Sequence, residues 1–187
     1  MAIQILYLTF RYQTKKLALT KFNIMRPFIF LILCVCLCKT AYSQTDTSLL
    51  YLRFPTVPPF SITKVSDSSK FTKDDLAKRK ATIIVIFSPD CDHCQHETKE
   101  LTANINLFKK AQIIMVSPLE HRHLKKFYDE YKIADYPNII MGRDPAYFFG
   151  TFYRVRSLPA IFVYDKKGNF ISAFDGTVPV QKIAEVL

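Results

Sequence analysis

Two cysteines three residues apart carry the most reactive chemistry in this 187-residue sequence. Cys91 and Cys94 lie in the segment 88–94, which reads SPDCDHC. Disulfide exchange begins when a thiolate attacks a disulfide sulfur, and a second thiol at this spacing can close a disulfide with the first. The spacing therefore predicts a dithiol redox site. The competing interpretation is an inert pair of buried cysteines.

The residues around the pair indicate a strand followed by a helix. Residues 81–87 form an apolar, β-branched run typical of a buried strand, and Pro89 ends it because proline cannot donate to a sheet ladder. Large apolar residues then recur at helical spacing: Leu101, Ile105 and Phe108. The predicted helix runs to about Lys109. Its dipole would stabilise a thiolate at Cys91, the cysteine nearer the helix tip.

The rest of the chain predicts alternating strands and helices. Buried strands are expected at 111–117 and 157–164, an edge strand near 60–62, a short strand at 137–141 and an antiparallel partner at 170–174. Helices are expected at 72–80, 120–131, 144–153 and 177–187. Alternating βα units favour right-handed crossovers and parallel strands, and the final hairpin adds an antiparallel edge. The predicted class is therefore α/β.

The first 43 residues indicate an export signal. An apolar run of 12 residues at 27–38 is shorter than the roughly 20 needed to span a bilayer. Basic residues precede it, and a small-x-small pattern ends at Ser43, so Gln44 is the expected mature start. A membrane anchor is the alternative. A compact signal could begin at Met25, which would then be the true start. Residues 44–59 predict a linker and residues 60–187 the domain.

The charge and the cysteine content argue against two classes of protein: nucleic-acid-binding proteins and domains held together by structural disulfides. The formal charge is +10, but six basic residues and no acid precede Ser43, which leaves a mildly basic domain. No basic face interleaved with aromatics is apparent, so nucleic-acid binding is not expected. Three of the five cysteines lie within the predicted signal: Cys34, Cys36 and Cys38. The exported protein would keep only Cys91 and Cys94, which leaves no structural disulfide framework.

The sequence resembles the exported TlpA/ResA-like thiol-disulfide oxidoreductases of the thioredoxin superfamily. The resemblance covers about residues 60–187 and rests on these features: Cys91-Asp92-His93-Cys94, Glu97, Leu158-Pro159 and the turn at 165–168. It implies a thioredoxin-like fold with a central mixed β-sheet flanked by helices. It also implies that Glu97 relays a proton to or from Cys94 and that Pro159 is a cis-proline beside the disulfide. Glu97 could instead be an ordinary solvated helix residue.

Residues between and before the cysteines should tune their reactivity. A protonated His93 would stabilise the Cys91 thiolate, whereas the carboxylate of Asp92 would oppose it. Thioredoxin itself keeps a buried aspartate where Val85 stands here, and the chain contains no tryptophan before its first cysteine. Close functional equivalence with thioredoxin is therefore not expected.

A metal site is the main competing hypothesis. Cys91, Cys94 and His96, with His121 or His123 from another element, could bind copper or another metal, as in copper-handling relatives of this fold. Covalent haem attachment is excluded because Gln95 follows the second cysteine where a histidine is required. A peroxidase is a weaker alternative.

The favoured function is a thiol-disulfide oxidoreductase of cell redox homeostasis, outside the cytoplasm or in a periplasm. It would be a reductase rather than an oxidase. Cys91 would attack the substrate and Cys94 would resolve the mixed disulfide. No metal or organic cofactor is implied. The expected partners are protein disulfide substrates and an unidentified dithiol electron donor. The mature chain is expected to be a monomer without stable membrane insertion.

Overall fold

A computed structural model describes residues 49–187, which form a seven-stranded mixed sheet with helices packed on it. The strands are β1 (Ser61–Lys64), β2 (Lys70–Thr72), β3 (Ala81–Ile86), β4 (Ala111–Ser117), β5 (Ile139–Arg143), β6 (Ala160–Tyr164) and β7 (Phe170–Asp175). Their order across the sheet is β2-β1-β5-β4-β3-β6-β7. The predicted α/β class and mixed sheet are confirmed.

Strand β3 lies between a parallel and an antiparallel neighbour. Ile83 pairs with Ile113 of the parallel strand β4 and with Val163 of the antiparallel strand β6. Strand β4 is also parallel to β5. The carboxyl ends of β3, β4 and β5 therefore meet at one edge, which is where ligands bind in open α/β sheets.

The α-helices are α1 (Leu50–Arg53), α2 (Asp92–Ala103), α3 (His121–Glu130), α4 (Phe148–Tyr153) and α5 (Val180–Glu185). Short 3-10 helices cover Lys73–Asp75, Ile105–Phe108 and Ile133–Asp135. Apolar residues of α2, α3 and α5 pack on one face of the sheet. Helix α4 and the segment before β1 cover the other face. Strands buried on both faces need no alternation of polar residues, which explains the continuous apolar runs in β3 and β4.

The segment 61–75 differs from the prediction. Strands β1 and β2 form an antiparallel hairpin, and β2 rather than the predicted strand near 60–62 is the edge. The helix expected at 72–80 is only the 3-10 turn Lys73–Asp75. The Asp75 carboxylate reaches back to the start of this turn and accepts both the backbone N–H and the hydroxyl of Thr72 at 2.8 Å.

Several helix boundaries also differ. Helix α2 ends at Ala103 rather than Lys109, because the next turn tightens into the 3-10 helix Ile105–Phe108. Helix α4 begins at Phe148 rather than at residue 144, and α5 spans Val180–Glu185 rather than 177–187. The predicted linker contains α1, and its Val57 is buried against the sheet.

The expectations for residues 1–43, including the start at Met25, the maturation site before Gln44 and the three cysteines there, lie outside the described residues. Within residues 49–187, none of the helices has the length and apolar character needed to cross a bilayer.

Candidate active site

The loop after β3 delivers Cys91 to the amino end of α2. Cys91 is the N-cap residue, and its sulfur accepts the backbone N–H of Cys94 at 3.4 Å. The side-chain amide of Gln95 donates to the Pro89 carbonyl at 2.9 Å, which ties the helix back to the loop. The orphan N–H groups of a helix start stabilise negative charge, so this geometry favours a thiolate at the N-cap sulfur.

The two thiols have different surroundings. Neither forms a disulfide in this structure; Cys91 is half-buried, whereas Cys94 is only 2% exposed. Burial, followed by the hydrogen bond with Cys91, raises the pKa of the Cys94 thiol to about 12. Cys94 therefore keeps its proton at neutral pH, while Cys91 is the sulfur that an external disulfide can reach.

Glu97 lies one turn beyond Cys94 and is 2% exposed, so it is not the solvated helix residue of the alternative prediction. Its Oε2 accepts the backbone N–H of Val178 at 3.2 Å. Its Oε1 is buried and has no hydrogen-bond partner among the described residues. Burial raises the pKa of Glu97, and the negative charge of Glu97 contributes to the raised pKa of Cys94. The two groups are thus electrostatically coupled.

The Leu158–Pro159 peptide bond is cis and lies beside the cysteines. The Cys91 thiol is 3.9 Å from the Leu158 carbonyl oxygen, a long contact even for a sulfur donor. Pro159 is buried, and its carbonyl is engaged by the backbone N–H of Gly176 at 2.8 Å. The backbone just before Pro159 therefore faces the reactive sulfur.

The two residues between the cysteines face solvent. Asp92 and His93 are both exposed, so any effect they have on the thiolate acts through screened charge. His96 and His123 are exposed as well. Within residues 49–187, no three His, Cys, Asp or Glu side chains come together as a metal-binding group. The ligand set proposed from the sequence is therefore not assembled in this conformation.

A cavity of about 520 Å³ opens beside Cys91 at the carboxyl edge of the sheet. Apolar side chains make up most of its wall, including Phe87, Val116, Phe149 and Leu158. Asp144 also lines it, at the end of β5. The sequence predicts Asp144 only as the first residue of the helix at 144–153. The signal available for more was its position at the carboxyl end of a parallel strand.

A thioredoxin-like domain family matches residues 72–187, which is most of the chain. The chain belongs to the thioredoxin-like family. The resemblance inferred from the cysteine pair and the distal proline is thus confirmed at the level of the superfamily. No curated protein sequence matches the chain.

Solved structures agree with this fold. A C-terminal domain of a putative thiol-disulfide oxidoreductase from Bacteroides thetaiotaomicron matches with a TM-score of 0.58 and 16% identity, covering 70% of this chain and 91% of that chain. A secreted Mycobacterium tuberculosis disulfide oxidoreductase homologous to E. coli DsbE matches with a TM-score of 0.57 and 16% identity, over 67% and 92% of the two chains. Arabidopsis thaliana ScoI with copper bound matches with a TM-score of 0.55 and 18% identity, over 68% and 92%. At these identities the likeness shows the fold alone.

Proposed function

We propose that this protein is a thiol-disulfide oxidoreductase that exchanges disulfides with other proteins through Cys91. The observation that supports this most directly is the unequal pair of thiols. Cys91 is accessible at a helix N-cap beside the cis Leu158–Pro159 bond, and Cys94 is buried behind it with its proton retained. An accessible attacking sulfur and a protected resolving sulfur are what a two-step exchange requires.

In the first step the Cys91 thiolate attacks one sulfur of a substrate disulfide. A Cys91–substrate disulfide forms, the substrate disulfide breaks, and the departing substrate thiolate takes a proton from solvent. In the second step Cys94 loses its proton and attacks the Cys91 sulfur. A Cys91–Cys94 disulfide forms, the Cys91–substrate disulfide breaks, and the second substrate thiolate leaves and takes a proton from solvent. Two electrons pass from the Cys91–Cys94 pair to the substrate, and an external dithiol donor must restore them.

Glu97 is proposed to take the proton that Cys94 loses in the second step. Cys94 cannot attack as a thiol, and burial makes its deprotonation unfavourable. A buried carboxylate is a stronger base than a solvated one because burial disfavours its charged form. Protonation of Glu97 also removes the negative charge that opposes the Cys94 thiolate. Proton transfer from Cys94 to Glu97 therefore removes the cost of the buried charge on Glu97 and also its repulsion of the Cys94 thiolate.

The direction and place of the reaction follow the resemblance to TlpA/ResA-like proteins. We propose that the protein acts as a reductase of disulfides outside the cytoplasm, after removal of residues 1–43. The similarity to a protein described as secreted supports an extracytoplasmic role. Pro159 is proposed to shape the substrate-binding backbone before it, since its own carbonyl is engaged.

Single substitutions of the two cysteines test the division of labour. Cys91→Ser should abolish disulfide exchange, whereas Cys94→Ser should accumulate mixed disulfides with substrates because no thiol remains to resolve them. Non-reducing gels and mass spectrometry after alkylation would detect the trapped species. Trapping by Cys91→Ser instead of Cys94→Ser would reverse the assignment.

Copper binding through Cys91, Cys94 and a histidine is the second candidate, favoured by the similarity to a structure with copper bound. Titration of the reduced protein with Cu(I) against a competing chelator separates the two functions. Tight binding that is lost in both cysteine variants, with no disulfide exchange in the wild type, would support the metal function.

A further inference from the structure

A buried carboxylate that forms no ion pair within residues 49–187 lies at the cavity beside Cys91. Asp144 is 2% exposed and lines the cavity. Its Oδ2 accepts the backbone N–H of Phe149 at 2.9 Å, which fixes the carboxylate at the start of α4. Its Oδ1 is buried and has no hydrogen-bond partner among residues 49–187. Buried polar atoms are normally paired, so the free oxygen indicates a missing donor.

None of the ion pairs seen among residues 49–187 includes Asp144. The ion pairs within the described residues join Lys64 to Asp67, Arg122 to Glu120 and Lys125 to Asp129, all at the surface. Arg143, the neighbour of Asp144 in sequence, forms no ion pair with it, and its own buried Nε has no partner among the described residues. A buried charge is costly unless a counter-charge accompanies it. A cation that also donates a hydrogen bond would supply both the counter-charge and the missing donor at this position.

The walls of the cavity suit the rest of such a ligand. Apolar side chains surround the space between Cys91 and Asp144, and its volume of about 520 Å³ lies in the range of small-ligand pockets. Tyr147 stands at the mouth, 55% exposed, with its ring against Gly150; a Cβ at Gly150 would lie 2.6 Å from the ring. A long aliphatic stem would bury itself against these walls, and aromatic faces attract cations.

We propose that the cavity binds a lysine or arginine side chain near the reacting cysteine of a substrate polypeptide, with Asp144 as its counter-ion. This inference rests on the proposed disulfide exchange at Cys91. Because Cys91 lines the same cavity, a substrate cysteine joined to Cys91 brings its neighbouring residues to the mouth. Asp144 is then a specificity-determining residue. Arg156 also lines the cavity, but it is exposed, so solvent screens its repulsion of a cation.

The net positive charge of the domain opposes a preference for basic substrates, so such a preference would have to come from the cavity itself. After Ser43 basic residues outnumber acidic ones, so long-range attraction alone would favour acidic peptides. The probes are five-residue peptides whose central cysteine carries a chromogenic thionitrobenzoate group. Lysine, norleucine or glutamate flanks the cysteine on both sides. Norleucine keeps the length of the stem and removes the charge.

The wild-type protein should reduce the lysine peptide at least tenfold faster, in kcat/KM, than the norleucine peptide, a factor that corresponds to about 1.4 kcal/mol. The difference should appear mainly in KM. Asp144→Asn keeps an oxygen for the Phe149 N–H and should bring the two peptides within about twofold. The matched control is Asp90→Asn, an exposed acid beside Cys91 that does not line the cavity, and it should keep the tenfold ratio.

Equal rates for the lysine and norleucine peptides with the wild type would overturn the inference without any variant. A lysine preference that survives in a folded Asp144→Asn protein would also overturn it. The mixed disulfide of mercaptoethanol and thionitrobenzoate has no flanking side chain that could enter the cavity. Its rate of reduction therefore measures the activity of the cysteine pair independently of cation binding. If that reduction fails, the proposed function fails. Calorimetry with peptides in which serine replaces the cysteine then tests cation binding in the cavity by itself. A preference for the lysine peptide that is lost in Asp144→Asn supports the inference, and equal binding of the lysine and norleucine peptides refutes it.

Discussion

Replacing Glu97 by glutamine should change how the stability of the protein depends on pH. Burial raises the pKa of Glu97 in the folded protein above its ordinary value of 4.5. The folded state therefore binds this proton more tightly than the unfolded state does. The stabilisation that the proton provides is complete below pH 4.5 and is lost as pH rises through the folded pKa. Above that value the folded protein bears the full cost of a buried charge.

The magnitude follows from the same linkage. Each unit by which the folded pKa exceeds the unfolded one costs about 1.4 kcal/mol of unfolding free energy at high pH. The Glu97→Gln variant has no titrating group at this position, so its unfolding free energy does not include this loss at high pH. The glutamine oxygen can still accept the Val178 N–H, although its amide nitrogen then occupies the position of the unpartnered Oε1. That substitution has a fixed cost of about 1–3 kcal/mol that does not vary with pH.

Urea denaturation at several values between pH 4 and pH 8 would separate the two contributions. The difference in unfolding free energy between wild type and Glu97→Gln near pH 4 gives the fixed cost. The change in that difference up to pH 8 gives the charge term, and the wild type should lose stability relative to the variant. Glu185→Gln, at an exposed position on α5, is the control and should give no such change. Parallel pH curves for wild type and Glu97→Gln would refute the buried-charge reasoning.

The remaining predictions concern the helix tip and a buried phenol pair. His93→Ala should lower the reduction potential by tens of millivolts, and Asp92→Ala should raise it by less, in a glutathione buffer; about 30 mV corresponds to 1.4 kcal/mol for this couple. An unchanged potential in His93→Ala would mean that the helix dipole alone sets the thiolate. Tyr153→Phe should cost about 1–3 kcal/mol of unfolding free energy because it leaves the Tyr164 hydroxyl, 2.6 Å away, without its partner. Replacing both tyrosines by phenylalanine should cost less than twice that, and strictly additive losses would contradict this.

The parts of the fold that could be predicted are those encoded locally. Strand β3 is almost entirely β-branched, β4 has the apolar stretch 113–116, and the cysteine pair follows β3. The β1–β2 hairpin was missed because its strands have four and three residues, and neither has a sustained apolar pattern. The start of α4 was misplaced because Asp144 caps it from five residues before Phe149, a spacing that the ordinary N-cap pattern does not include.

The candidate site shows the same limit. Residue type and spacing predict Cys91 and Cys94 as the candidate pair, whereas the prediction for Pro159 comes from the resemblance to TlpA/ResA-like proteins. The burial of Glu97 could not be predicted, because its neighbours on α2 are mostly polar and its hydrogen-bond donor, Val178, lies 81 residues further along the chain. The cavity also depends on loops after β3, β4 and β5 meeting in space. Long-range contacts of this kind leave no periodic pattern in the sequence.

The separation between Glu97 and its donor sets an order of events during synthesis. The Cys91 sulfur meets the Leu158 carbonyl from a loop 67 residues later, and Glu97 meets Val178 from a segment 81 residues later. A chain leaving a ribosome or a translocation pore from its amino end exposes both cysteines well before either contact can form. During that interval Cys94 lacks its final burial. Nascent chains halted before residue 158 should therefore react with thiol reagents at both cysteines, whereas full-length chains should protect Cys94.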